Sequence, residues 1–159
     1  MNKQILLFGS GLLAGLVVML ALTLIGLPRL MILTHESRYS VDDTIAKVSR
    51  VARDNGWSVP KVYDIQGALI ERGYADAPPI KILSLCQPHH ALQVLSEDVN
   101  KRLSSIMPCR FGVYQTADGK VYISGMNIAL LSRLFGSAVS EAMRNAATEE
   151  DAMLAAVLR

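Results

Sequence analysis

The chain has 159 residues, of which 51% are hydrophobic and 19% charged, and its formal net charge is +2. So small a charge, with basic residues scattered among acidic ones, argues against the clustered basic surface of a nucleic-acid-binding protein. The two cysteines, Cys86 and Cys109, match neither a disulfide framework nor a four-ligand zinc pattern.

A hydrophobic segment opens the chain, with no charged residue from Ile5 to Leu27. A helix of that length rises about 34 Å, enough to cross a hydrocarbon core of about 30 Å. The segment is longer than the apolar region of a cleaved signal peptide, about 7–15 residues, and it shows no clear cleavage site. The sequence predicts a single-pass anchor over residues 1–29 and one domain over residues 30–159.

The charges that flank this segment give a weak orientation signal. Lys3 lies on one side, and Arg29 and Arg38 follow on the other. We expect the N-terminus inside and the domain outside the cytoplasm, at the cell inner membrane. Gly11 and Gly15 form a G-x-x-x-G pair, which would let two helices approach closely, although glycine is also simply common in membrane helices.

The sequence of the first half of the domain predicts, in order, a strand, a helix, a second strand and a second helix. Residues 30–39 lead into a first strand, and Ser40 with Asp43 forms a capping-box-like helix start. Apolar residues then recur at helical spacing until Gly56 ends the helix. Residues 57–62 predict a strand, placed at a sheet edge by Pro60, and residues 64–72 a short helix closed by Gly73.

The second half predicts three more strands with helices between and after them. Residues 80–86 are apolar on both faces, as in a central strand, and Pro88 suits the start of a helix running to about residue 100. Residues 111–115 and 121–124 predict a hairpin. Asn127 can cap a helix to residue 134, and residues 137–147 and 148–159 predict two short helices, the second capped by Thr148. The fold class is α+β, with helices packed on a small antiparallel or mixed sheet.

Two short segments carry the side chains best suited to chemistry. Cys86, His89 and His90 lie where a strand meets a helix start, and Met107 and Cys109 precede a later strand. The positive end of a helix lowers the pKa of a nearby thiol and disfavours imidazolium, which leaves the forms that bind soft metals. These five side chains would suit copper(I), zinc or a haem axial position.

Three considerations limit that interpretation. Adjacent helical residues point about 100° apart, so only one of His89 and His90 can be expected at a shared site. Both cysteines can equally be read as small buried hydrophobes. If a parallel crossover joins their strands, Cys86 and Cys109 would lie roughly 15–20 Å apart at opposite ends of the sheet.

An enzyme is not indicated, and no catalytic residue is predicted. The sequence has no G-x-S-x-G elbow, phosphate loop, dinucleotide fingerprint or H-E-x-x-H motif. Glu97 and Asp98 could serve as bases, but adjacent acids near a helix end are usually solvated surface.

Three motifs resemble the family called domain of unknown function 302. They are the runs Leu85 to Ala91, Met107 to Arg110 and Gly125 to Asn127, and the likeness extends from about Glu36 to Gly136. The resemblance is to a membrane-anchored subgroup with Cys-x-Pro-His-His and Met-Pro-Cys-Arg motifs. It implies a compact prokaryotic α+β domain, commonly paired as a dimer, with no established activity.

Two functional hypotheses follow. The first is a membrane-tethered accessory protein that binds a transition metal or haem through Cys86, His89, His90, Met107 and Cys109. The second is a non-catalytic scaffold or accessory subunit of a larger membrane complex or homo-oligomer. A thiol carrier using Cys86 is a weaker third, because the chain lacks a C-x-x-C partner. We favour the first, because two soft-ligand clusters in so short a domain exceed what packing demands.

Overall fold

The computed structural model describes residues 3–158, with the side chains at positions 3–7, 9 and 137 outside the description. The predicted ends of the anchor and the domain, residues 1, 2 and 159, therefore lie outside the described residues. The helices are α1 (Lys3–Met31), α2 (Val41–Asp54), α3 (Ile65–Ile70), α4 (Pro88–Leu95), α5 (Ile128–Ser132) and α6 (Ser137–Leu158), with a 3-10 helix at Asp98–Ile106. The strands are β1 (Ile32–Ser37), β2 (Ser58–Asp64), β3 (Ile80–Cys86), β4 (Cys109–Gln115) and β5 (Val121–Met126).

Helix α1 is the candidate membrane span. The candidate span covers the 22 residues Ser10–Met31, in which an 18-residue window has a mean hydropathy of 2.3 and contains no residue buried against the rest of the protein. At 1.5 Å per residue this stretch is about 33 Å long, which matches a hydrocarbon core. The helix continues two residues past the predicted boundary at 29, and β1 follows it without a loop. The two glycines of the G-x-x-x-G pair face open space, since a Cβ added at Gly11 or Gly15 would meet nothing within 4 Å.

The five strands form one antiparallel sheet in the order β1-β5-β4-β3-β2. The antiparallel alternative of the sequence prediction is therefore confirmed. Strand β3 lies inside the sheet, as its two apolar faces predicted, and β2 lies at the edge. The pairing of β2 shifts between Ser58 and Lys61, around Pro60, because proline has no N–H to give to the ladder.

The hydrophobic core lies between one face of the sheet and helices α2 and α6. Val48, Ala52, Leu83, Val113 and Ile123 are all fully buried there. Ser40 accepts a hydrogen bond from the Asp43 N–H at 3.1 Å and begins α2 as predicted. The result is the α+β architecture that the sequence pattern indicated.

Two helix predictions were wrong in length. Helix α4 ends at Leu95, not near residue 100, and a separate 3-10 helix starts at Asp98 after an extended Glu97. Residues 137–158 form one helix instead of two, because no glycine or proline interrupts them. The Thr148 hydroxyl donates to the Arg144 carbonyl at 3.1 Å within that helix, so Thr148 is not a cap.

Candidate functional site

The end of β3 and the start of β4 lie side by side in the sheet. Leu85 is paired directly with Cys109, and the two strands run antiparallel. The two cysteines therefore lie at the same end of the sheet, close enough for Cys86 to influence the pKa of Cys109. The parallel crossover considered from the sequence does not occur, because α4 and the 3-10 helix return the chain to the same sheet end.

Helix α4 places one of the two histidines toward this sheet end. Gln87 caps the helix by accepting a hydrogen bond from the His89 N–H at 2.8 Å, and Pro88 occupies its first turn. The His89 side chain is exposed, whereas His90 is half-buried beside the cysteines. The expectation that adjacent histidines would diverge is confirmed.

A mostly apolar cavity of about 290 Å³ opens between this sheet end and helices α4, α5 and α6. Four of the five residues proposed as ligands from the sequence line it. They are Cys86, His90, Met107 and Cys109; His89 does not line it. The other walls come mainly from apolar side chains such as Val94, Leu103, Met126, Ile128, Leu131 and Met143.

Sequence reasoning missed two acidic residues of α6. Glu149 accepts a hydrogen bond from Trp57 Nε1 at 2.8 Å, and its other carboxylate oxygen lies 2.8 Å from Nε2 of His90. If Nε2 carries the proton for this contact, the other ring nitrogen, Nδ1, is left as an acceptor. Nδ1 is buried and has no hydrogen-bond partner among the described residues.

Glu150 lines the cavity and is almost completely buried. Burial raises the pKa of its carboxyl from 4.5 to about 7, a hydrogen bond with Cys109 opposes this rise, and the charge of Asp151 adds to it. Its Oε1 atom is buried and without a partner among the described residues. Two residues that line the cavity, His90 and Glu150, therefore each carry a buried polar atom without a hydrogen-bond partner among the described residues.

Both cysteine thiols are held in the neutral form. Burial raises the pKa of Cys109, and the neighbouring Glu150 carboxyl raises it further. Burial also raises the pKa of Cys86, partly offset by a hydrogen bond with Ser58. The expectation that the helix end would favour thiolate at Cys86 was wrong, because burial raises the pKa of that thiol.

The described residues contain no group of three or more His, Cys, Asp or Glu side chains arranged to hold a metal ion. Cys86, His90, Met107 and Cys109 share the cavity without forming such a cluster. An ion bound by them would require side chains to rearrange and the thiols to lose their protons.

The sequence does contain a signal for Glu150. The buried residues Ala142, Ala146, Met153 and Val157 recur along α6 at helical spacing, and Glu150 falls on the same stripe. A carboxyl in an apolar stripe is a buried polar group that requires a partner. Splitting α6 into two helices at Thr148 hid this pattern.

Comparisons with known proteins agree with the fold. A family model described as "Domain of unknown function DUF302" matches residues 33–159, which extends the likeness through α6. No curated protein matches the chain significantly. The crystal structure of an uncharacterized conserved DUF302 protein from Bacillus stearothermophilus is similar, with a TM-score of 0.70 and 23% identity. The match covers 80% of this chain and 98% of that one, and it supports the fold alone.

Proposed function

The chain belongs to the DUF302 family, and from that premise we propose that it is a membrane-anchored, non-catalytic protein that binds a small ligand in the cavity beside Cys109. The ligand would be mostly apolar and would carry an O–H or N–H donor. The observation that carries the proposal is that two residues lining a mostly apolar cavity, His90 and Glu150, each carry a buried polar atom, Nδ1 and Oε1, without a hydrogen-bond partner among the described residues.

The energetics favour a donor-bearing ligand. A buried acceptor without a partner costs about 1–3 kcal/mol, so a ligand that donates to it recovers that free energy on binding. The apolar walls contribute through burial of the ligand's hydrocarbon surface, at about 25 cal/mol per Å². Neutral thiols at Cys86 and Cys109 are poor nucleophiles, which supports binding over covalent chemistry.

Quenching of tryptophan fluorescence provides a direct test. Trp57 is the single tryptophan and lines the cavity, so a brominated ligand bound there quenches its emission. We expect bromobutanol to quench full-length protein in phosphatidylcholine vesicles saturably, and to bind more tightly than bromobutane, which has no donor. His90→Phe should remove much of the alcohol's advantage over the alkane.

His89→Phe is the matched control, because His89 is the adjacent exposed residue and does not line the cavity. This variant should behave like the wild type toward both compounds. Absence of saturable quenching, or equal binding of alcohol and alkane to the wild type, would contradict the proposal.

A second candidate is a soft metal site, supported by the meeting of Cys86, His90, Met107 and Cys109 in one cavity. Histidine ligands commonly donate their second ring N–H to a carboxylate, and Glu149 occupies that position behind His90. Thiols and a thioether favour copper(I) among the metals considered.

Elemental analysis and an absorption spectrum of the purified full-length protein test the metal candidate and also report zinc or haem. The metal candidate predicts that the wild type contains stoichiometric metal, which is lost in Cys86→Ser and His90→Ala but kept in His89→Ala. A metal-free, colourless wild-type protein after loading with copper(I) or zinc would remove this candidate.

Membrane insertion of α1 is part of the main proposal and is supported by the length and hydropathy of Ser10–Met31. An inserted α1 would agree with the resemblance of the motifs to a membrane-anchored subgroup. The position of the domain outside the cytoplasm, at the cell inner membrane, stays a prediction. Assembly into a homo-oligomer or a larger membrane complex, as an accessory subunit or scaffold, stays a prediction.

A further inference from the structure

The cavity has an identifiable mouth. Most of its lining is buried or half-buried, but Ile106 is 43% exposed, Met126 is 38% exposed, and Ser105 and Arg110 are exposed as well. These four residues mark where the cavity reaches the protein surface. His90 and Glu150, which carry the unpartnered acceptors, belong to its more buried part.

The mouth lies next to the end of α1. Met126 is paired with Ile32 across the β1–β5 ladder, and Ile32 directly follows Met31, the last residue of α1. Residues paired in this way have Cα atoms about 4.5–5.5 Å apart. The Asn127 N–H also donates to the Met31 carbonyl at 2.7 Å, and its side-chain amide donates to the Leu30 carbonyl at 3.0 Å.

Exposed apolar side chains continue from the helix to the mouth. Leu30 and Ile32 are 58% and 50% exposed, and Met126 and Ile106 follow at the opening. An apolar molecule moving along this path stays in contact with hydrocarbon and avoids transfer through water.

We propose that the cavity takes a single-chain, hydroxyl-bearing amphiphile directly from the bilayer through the mouth between Ile106 and Met126. This inference rests on the proposed binding function and adds the source and class of the ligand. The volume of about 290 Å³ is at the lower limit of small-molecule sites, so it suits one chain and not a two-chain lipid. The hydroxyl group would donate its one hydrogen to Nδ1 of His90 or to Oε1 of Glu150, once that side chain turns toward the cavity.

The test uses full-length protein in phosphatidylcholine vesicles that contain ω-bromododecanol, with Trp57 fluorescence as the readout. We expect saturable quenching of the wild type, and binding weakened by about tenfold in Ala91→Leu, which fills the cavity. Ala152→Leu, an exposed change on α6, is its matched control and should bind normally. Vesicles of brominated phosphatidylcholine should give no saturable quenching.

The route variants Leu30→Glu and Ile32→Glu test the route, because both side chains are exposed on the path and neither lines the cavity. Each should slow or weaken quenching by ω-bromododecanol by about tenfold while leaving quenching by water-soluble bromobutanol unchanged, which also shows that the variant is folded. If both route variants take up the membrane probe as the wild type does, the route is refuted. If the wild type binds bromobutanol but not ω-bromododecanol, the bilayer source fails and the binding function stands. If neither probe binds, both proposals fail.

Discussion

The buried carboxyl of Glu150 predicts a specific pH dependence of stability. Its pKa is about 7 in the folded protein against 4.5 for the ordinary side chain. Below the lower value the group is protonated in both states, so it has no effect on unfolding. As the pH rises toward 7 the unfolded chain ionises first, and the folded state loses stability. The full loss, reached above pH about 7, is about 3 kcal/mol at 1.36 kcal/mol per unit of pKa.

Urea unfolding followed by Trp57 fluorescence measures this effect. Full-length protein in phosphatidylcholine vesicles would be compared with Glu150→Gln at pH about 5 and about 8. The wild type should lose about 2.5 kcal/mol more than the variant over that interval, because glutamine does not titrate and the unfolded carboxyl is already mostly ionised at pH about 5. Glu141→Gln, at an exposed position of α6, should keep the wild-type dependence.

The comparison between variants removes the contribution of every other ionisable group, because the two proteins differ only at position 150. A raised pKa of Glu150 is contradicted if the stability of Glu150→Gln falls with pH as steeply as that of the wild type. It is also contradicted if the difference in stability between the two proteins is the same at both pH values. Either result would mean that the Glu150 carboxyl is solvated in the folded protein.

Three further changes test the fold and the anchor. Gly125→Ala would place a Cβ 2.7 Å from the ring of Phe111, so it should destabilise the domain by about 1–3 kcal/mol and lower its Tm. Ser40→Ala removes the N-cap of α2 and should cost about 1 kcal/mol in urea unfolding. Leu16→Lys combined with Leu20→Lys should release the protein from membranes on alkaline washing, because each lysine costs about 2.5–3.5 kcal/mol near the centre of a membrane helix.

Each of these changes has a matched control at an open position. Gly136→Ala meets nothing within 4 Å, Ser104→Ala alters an exposed serine, and Leu92→Lys places a lysine on an exposed part of α4. All three should leave stability and membrane association near those of the wild type. If a control loses as much stability or membrane association as the variant with which it is paired, the physical reason given for that variant is contradicted.

Local signals predicted most of the elements, because each depends on a few neighbouring residues. Ser40, Gly56 and Asn127 each act at the helix boundary that their chemistry indicated, with Gly56 at a φ of +78°. The length of α6 was harder to predict, since Thr148 resembles a cap and only the surrounding helix shows otherwise. Strand order was also open, because sequence alone did not decide between an antiparallel hairpin and a crossover.

In the candidate site, too, the features set by neighbouring residues were predictable and those set by distant parts of the chain were not. Cys86, His90, Met107 and Cys109 were found from their chemistry, and the structure brings all four to one cavity. Their electrostatics could not be predicted, because burial depends on elements distant in the chain. Glu150 lies 41 positions from Cys109 along the chain, yet it contributes to the raised pKa of that thiol.

The effect of Glu150 on folding stability can show whether its buried carboxyl serves ligand binding or the fold. A purely structural group would be expected to stabilise the fold, whereas a buried ionisable group without full hydrogen bonding is often less stable than an apolar side chain of similar size. We therefore expect Glu150→Met to raise the Tm at neutral pH and to reduce the advantage of bromobutanol over bromobutane. A lower Tm with unchanged selectivity would instead assign Glu150 to the fold. The two readouts move in opposite directions because the same unsatisfied oxygen destabilises the empty protein and accepts the ligand's hydrogen bond.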